Sequence, residues 1–206
     1  MTSYNVSELV RDVKVLLDRN RTNTALISDA DVETLQQDEL IEPRIQEAVR
    51  LIELHAPISL LADAAVLSTA NAATYTFTEP ILRLLGVRGS GWKRTAKLIT
   101  PDDEEYSYQH SAYGVKGNNE RPFCAVVEDG GYLMLEFIPS TTATITYLPI
   151  PSVSGGTIQI CKACKDAVVY AAASLVSSAM GDVNGSGTLL GMAYQLIGLQ
   201  NQNNEK

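Results

Sequence analysis

The residues best suited to do chemistry in this chain are two closely spaced cysteines. Cys161 and Cys164 have the Cys-x-x-Cys spacing that is typical of zinc sites and redox dithiols. A zinc site needs four ligands, and the other candidates, Cys124, His55 and His110, are scattered along the sequence. Because both cysteines fall in an alanine-rich run that predicts a helix, we expect small core residues there. We therefore expect no metal site and no cofactor.

Three other segments look like ligand-binding motifs but lack a required feature. Gly86–Lys93 departs from a phosphate-binding loop because Trp92 separates the last glycine from the lysine. Gly185–Gly187 joins two predicted helices, whereas a dinucleotide-binding glycine loop follows a strand. Residues 29–33 begin with the acid spacing of a calcium loop, but its glycine and its distal glutamate are missing.

Candidates for acid–base catalysis are few. His55 and His110 are the only histidines, and no Gly-x-Ser-x-Gly nucleophile motif is present. His55 lies at a predicted helix end, where it could cap the helix. We therefore expect that the protein is not an enzyme. The alternative is an enzyme or small-molecule-binding domain with a pocket lined by Tyr106, Tyr108, His110 and Tyr113.

Composition limits the classes of partner. The 206 residues are 45% hydrophobic, enough for a buried core, and 16 Lys and Arg oppose 24 Asp and Glu for a net charge of −8. That charge argues against a general phosphate-binding surface, although an acidic wall could stand beside passing DNA. The N-terminus has no basic start, and Ala167–Gly181 is too short to cross a bilayer, so we expect neither a signal peptide nor a membrane segment.

Four consecutive acids, Asp102, Asp103, Glu104 and Glu105, follow Thr100 and Pro101. Thr100 fits a helix N-cap, and acids are favourable in the first turn because of the helix dipole. The alternative is an electronegative rim that faces a partner or a DNA channel.

The N-terminal third predicts two amphipathic helices. Apolar residues from Val6 to Leu17 recur at helical spacing, and so do those from Ile41 to Ile52. We predict the second helix at about residues 42–56, with Pro43 in its first turn. Ser28–Asp31 is a further helix-start signal, before what we expect to be a short turn.

The middle of the chain changes to the alternating pattern of strands. Predicted elements are a strand at 74–78, a hairpin of 82–87 and 93–99 around Gly89–Gly91, a helix at 101–110, a hairpin of 123–128 and 132–138, and a strand at 142–148.

The C-terminal region predicts a long helix, Ile160–Met180, that Gly181 ends in a left-handed conformation. A glycine-rich break and a second helix, Leu189–Ile197, follow. The order of helices, strands and helices indicates an α+β fold. We expect a helical core from residues 1–65 and 150–199, an antiparallel β insertion at 66–149, and a flexible tail at 200–206.

Several of these elements together resemble a known family. The helix Ile41–Ala56, the strand Ala143–Pro149, the segment Asp166–Ala173 and the Gly181-Asp182 pair are similar to those of tailed-phage head–tail connector (neck adaptor) proteins. The β-rich middle, Thr74–Ile138, looks like the elaborated adaptors of short-tailed and crAss-like phages.

The resemblance implies a structural virion protein located in the neck and made in the host cytoplasm. Such adaptors form a homo-oligomeric ring, commonly a dodecamer, that binds the portal protein and receives tail or further ring proteins. Genomic DNA passes through the ring without sequence-specific binding. By the same resemblance, Leu196, Ile197 and Leu199, with the polar tail, are candidates for docking on the portal. A tail or head-completion protein at another position is the alternative virion role.

Overall fold

The computed structural model of the protein describes residues 2–20, 32–61, 66–70 and 73–198. The chain divides into two compact units. Unit 1 combines residues 1–64 with 151–206, and unit 2 consists of residues 65–150. No helix in the described ranges is long and apolar enough to cross a membrane.

Within those ranges the chain forms five α-helices and ten β-strands, which confirms the α+β class. The helices are α1 (Val6–Asn20), α2 (Val32–His55), α3 (Glu104–His110), α4 (Lys165–Ala179) and α5 (Val183–Leu196). The strands are β1 (Thr2–Asn5), β2 (Val66–Ala70), β3 (Thr74–Thr76), β4 (Ile81–Gly89), β5 (Lys97–Ile99), β6 (Phe123–Asp129), β7 (Tyr132–Ile138), β8 (Ala143–Pro149), β9 (Val153–Ser154) and β10 (Thr157–Ile160).

Helix α4 is the centre of unit 1, where it packs against α1, α2 and α5. Four of its alanines, Ala167, Ala171, Ala172 and Ala173, are buried, and their small side chains let neighbouring backbones approach closely. The amphipathic periodicity of the N-terminal helices is confirmed, because their apolar stripes form the core around α4. The buried stripe residues are Val6, Leu9 and Val13 on α1, and Ile41, Ile45, Ala48, Val49 and Ile52 on α2.

Helix α2 differs from its prediction at the N-terminal end. It begins at Val32, so Pro43 lies inside the helix and not in its first turn. Residues 32–41 contain no glycine or proline, and this run extends the helix even though Pro43 removes one backbone donor. Ser28–Asp31 lies outside the described residues.

The start of α4 was also predicted too early. Strand β10 occupies Thr157–Ile160 and pairs with β1 on one side and β9 on the other, so the helix begins only at Lys165. A 3₁₀ turn, Lys162–Cys164, separates the strand from the helix. Gly155 and Gly156, both at positive φ, form the two-residue turn between β9 and β10 and were a local signal for this hairpin, whereas the pairing of β10 with β1 depends on the opposite end of the sequence.

Gly181 has the predicted left-handed conformation, with φ of 85°. The expected break at Gly185–Gly187 is wrong, because α5 already begins at Val183. Asp182 explains the difference: its Oδ1 accepts a hydrogen bond from the Gly185 N–H at 2.9 Å and thereby caps the helix.

Unit 2 contains two sheets, ordered β2-β8-β4 and β3-β7-β6-β5. The predicted β6–β7 hairpin is confirmed, with Gly130 and Gly131 at positive φ in its turn. The predicted hairpin of β4 and β5 is wrong. Strand β4 pairs with β8, while β5 pairs with β6 in the parallel sense. Helix α3 begins later than predicted, with Asp103 and not Thr100 at its N-cap.

The core of unit 2 explains why β4 pairs with β8. Val87 of β4 and Ile145 of β8 are register partners and are both fully buried. Trp92, just after β4, folds back over Gly89, so the chain leaves the sheet before it reaches β5. The same apolar cluster includes Phe77, Trp92, Ala96, Cys124, Leu135, Phe137 and Ala143.

A buried carboxylate joins the two segments of unit 1. Glu53 on α2 is fully buried, and its Oε1 accepts a hydrogen bond from the Cys161 N–H at 3.0 Å. The Cys161 thiol in turn donates to the Leu60 carbonyl at 2.7 Å. These bonds hold the end of α2 against the junction between β10 and α4.

We predict that Glu53→Ala lowers the free energy of unfolding by about 1–3 kcal/mol, because the buried Cys161 N–H loses its acceptor. Urea denaturation followed by far-UV circular dichroism measures the change. Glu53→Gln is the matched control, since it keeps a side-chain oxygen and should lose less. An alanine variant with the wild-type midpoint, or a glutamine variant equally destabilised, would contradict the prediction.

A second prediction concerns the close packing at Gly89. A Cβ there would lie 2.5 Å from Trp92 Cδ2 and would also meet the Thr141 methyl group. Gly89→Ala should therefore destabilise unit 2 by about 1–3 kcal/mol through overpacking. The fluorescence of Trp92, the only tryptophan, follows unfolding. Gly91→Ala is the control, because its Cβ would meet only Asn119 Nδ2 at 3.9 Å; equal losses in both variants would refute the explanation.

Candidate functional site

The acidic segment lies at the start of α3, and three of its four acids have local partners. Asp103 Oδ2 accepts hydrogen bonds from the Thr100 N–H at 2.6 Å and the Thr100 hydroxyl at 3.0 Å, which lower the pKa of Asp103. Glu105 pairs with Lys97, whose hydrogen bond and charge lower the pKa of Glu105. Glu104 accepts a hydrogen bond from the Tyr108 hydroxyl, which raises the pKa of Tyr108.

These partners give the acids a structural role in beginning α3 and joining it to β5. Asp102, Asp103 and Glu104 remain exposed, so the segment still presents negative charge on the surface of unit 2. The rim function proposed for the segment remains a prediction.

The C-terminal docking candidates fall into three different environments. Leu196 is half exposed at the end of α5. Ile197 is fully buried in unit 1, so its side chain is a core residue and offers no surface for docking. Leu199 and the predicted flexible tail, residues 200–206, lie outside the described residues.

The tyrosines proposed to line a pocket do not face one another across a cleft. The Tyr106 and His110 rings are neighbours on α3, with centroids 4.5 Å apart, and His110 Nε2 lies 3.4 Å from Glu136 Oε2. Tyr108 is bound to Glu104, and Tyr113 is completely exposed. This arrangement gives no observation in favour of a small-molecule pocket at these residues.

The remaining chemical candidates are held in structural contacts. His55 is the last residue of α2, where its Nδ1 lies 2.8 Å from the Leu51 carbonyl and its ring packs edge-on to Tyr194. Cys161 and Cys164 are buried in unit 1, and Cys124 is buried in unit 2. Among the described residues, no three His, Cys, Asp or Glu side chains are grouped so that they could hold a metal ion.

Two surfaces were missed in the sequence. The first is an open groove of about 460 Å³ on unit 1, which we term the helical groove. It lies between α1, α4 and α5 and has a mostly apolar lining with two acids. Its lining residues are Asp12, Val15, Leu16, Asp166, Val169, Tyr170 and Leu196. The signal available in the sequence was Val15, an apolar residue that lies outside the predicted apolar stripe of α1. In the structure its side chain is about half exposed (47%).

The second surface is an exposed loop on unit 2, residues 111–117, which we term the apolar loop. The side chain of Tyr113 is 100% exposed and that of Val115 is 87% exposed. Exposed apolar side chains of this size at a loop tip are unusual enough to suggest an interaction site.

The base of the apolar loop is held firmly in place. The buried side chain of Gln109 accepts a hydrogen bond from the Gly117 N–H at 2.6 Å and donates to the Glu105 carbonyl at 3.1 Å. Gly114 lies so close to α3 that a Cβ would come within 2.8 Å of the Tyr108 carbonyl carbon. The loop backbone is therefore anchored while its apolar side chains point into solvent.

The chain matches no protein-family model and no curated protein. The helical groove and the apolar loop are therefore the features on which a functional assignment depends.

We predict that none of the three cysteines reacts with a thiol reagent in the folded protein at pH 8. All three are fully buried, and burial, with a smaller effect of Glu136, raises the pKa of Cys124 to about 12. A reactive thiolate is accordingly scarce at Cys124. Ellman's reagent should report no fast thiol in the native protein and three after denaturation. A fast native reaction would contradict the structural role and would favour a redox function.

Proposed function

We propose that the protein is a structural virion component, an oligomeric ring adaptor in the phage neck that joins the portal to the tail and surrounds the DNA channel. The helical groove is the observation that supports this proposal most directly. It exposes Val15, Tyr170 and Leu196 on the same helices that form the core of unit 1, which is apolar surface of the kind that a protein partner covers.

The size of the groove indicates what kind of contact it could make. A stable protein interface buries about 1,200–2,000 Å² and involves about 20–30 residues on each side. Seven lining residues are too few for a whole interface, and two of them are acids, so the apolar ones would form only part of its centre. A ring protomer, which contacts two neighbours and a portal, would surround such a centre with more polar contacts.

The charge of the chain also fits a channel wall. A net charge of −8 per copy, repeated around a ring, would repel DNA phosphates from the wall. At physiological salt this repulsion extends only about 8 Å, so it acts on DNA within the channel and not beyond it. The exposed acids Asp102, Asp103 and Glu104 would contribute to it if they face the lumen.

The resemblance to neck adaptors is the third support. Two of the segments that show it, Ile41–Ala56 and Asp166–Ala173, lie largely in α2 and in α4, and a third, Ala143–Pro149, is β8. The two helices form the core of unit 1 with α1 and α5, so this part of the resemblance concerns residues whose packing determines the fold of unit 1.

The test is negative-stain electron microscopy of the purified protein mixed with the portal protein of the same phage. We expect a ring at one end of the portal. Portal alone and the protein alone are the controls, and the mass of the complex gives the number of copies. Absence of a ring both with and without the portal would refute the proposal, and rings bound only to tail components would favour the other virion position.

A further inference from the structure

We infer that the apolar loop of one copy inserts into the helical groove of a neighbouring copy. The partner of both surfaces is thus a second copy of this chain. The inference rests on the proposed function, because a contact between two different surfaces of identical copies generates a closed ring or an open filament. It adds the particular residues that would form the contact between protomers.

The first argument is chemical complementarity between the apolar parts. The loop presents Tyr113 and Val115, which have almost no contact with their own unit. The groove presents a complementary apolar lining, with Val15 and Leu196 each about half exposed. Insertion would remove both sets of apolar surface from water, which is the main favourable contribution to association.

The second argument is charge. Lys116 is exposed beside Val115 and forms no ion pair with any described residue. In the groove, Asp12 is already paired with Lys165 at 3.3 Å, whereas Asp166 is exposed and has no such pair among the described residues. A cation next to the apolar tip of the loop therefore meets an acid at the wall of the groove, which favours this orientation.

The third argument is preorganisation. Because Gln109 and Gly114 already anchor the loop on α3, binding orders little additional backbone. A smaller loss of conformational entropy leaves more of the contact energy for association. An anchored aromatic residue at a loop tip is also typical of the residues that dominate interface energies.

The test is disulfide cross-linking of the full-length protein at high concentration and in complex with the portal. The double variant Val15→Cys with Val115→Cys places one thiol in the groove and one on the loop. The native cysteines are buried and should not compete. Mild oxidation should produce a ladder of covalent oligomers on non-reducing gels, and the single variants should not.

The matched control is Val183→Cys with Val115→Cys. Val183 is 74% exposed, but it lies at the opposite end of α5 from Leu196, about 20 Å away along the helix. On the same non-reducing gels this pair should migrate as a monomer. In addition, Tyr113→Ala should weaken association by about tenfold or more in sedimentation experiments. Its far-UV circular dichroism should stay unchanged, because the side chain is fully exposed.

The outcomes separate this inference from the proposed function. Rings observed by electron microscopy without a cross-link between groove and loop would refute the inferred contact and would still support the proposed ring adaptor. A cross-link that stays within one chain, equal cross-linking of the control pair, or a Tyr113→Ala variant with wild-type association would also overturn the contact. A cross-linked ladder from a protein that forms no ring on its portal would support the contact and refute the adaptor.

Discussion

The hydrogen bond from the Cys161 N–H to the buried Glu53 carboxylate is the interaction on which unit 1 depends. It joins residues 108 positions apart, on either side of the inserted unit 2. Two further bonds lie nearby, from the Cys161 thiol to the Leu60 carbonyl and from Gln46 to the Pro151 carbonyl. Together they join α2 and Leu60 to the segment that begins at Pro151, and α4 packs against the N-terminal helices. A buried acceptor is costly to lose, so this junction strongly favours one arrangement.

The packing that follows has a consequence for the surface. Helices α1 and α5 each bury one side against the core, and beside α4 they leave the helical groove, where Val15, Tyr170 and Leu196 remain accessible. Unit 2 shows the same combination of order and exposure, since the buried Gln109 anchors a loop whose Tyr113 is fully exposed. Exposed apolar side chains on a well-ordered backbone are unfavourable for a protein that stays monomeric, and they can be buried in a protein that forms an oligomer. The proposed ring and the inferred contact follow from this combination.

Much of the local structure was predictable because its causes are local. The apolar stripes of α1 and α2, the β6–β7 hairpin with its paired glycines, and the left-handed Gly181 all depend on residues within a few positions. The errors arose where a distant partner decides. Strand β4 pairs with β8 and not with β5, and Ile160, the expected first residue of α4, is the last residue of β10, which pairs with β1.

The sequence alone therefore determined the α+β class and the positions of α1, the β6–β7 hairpin and β8, because composition, periodicity and turn residues are encoded locally. It also indicated that Cys161 and Cys164 are core residues, and both are buried. Only the tertiary structure decided which apolar residues remain outside. Ile197 and Leu196 are adjacent and similar, yet one is buried and the other exposed, because α5 packs against α4 along a single face. The groove and the anchored loop likewise exist only once distant segments have packed together.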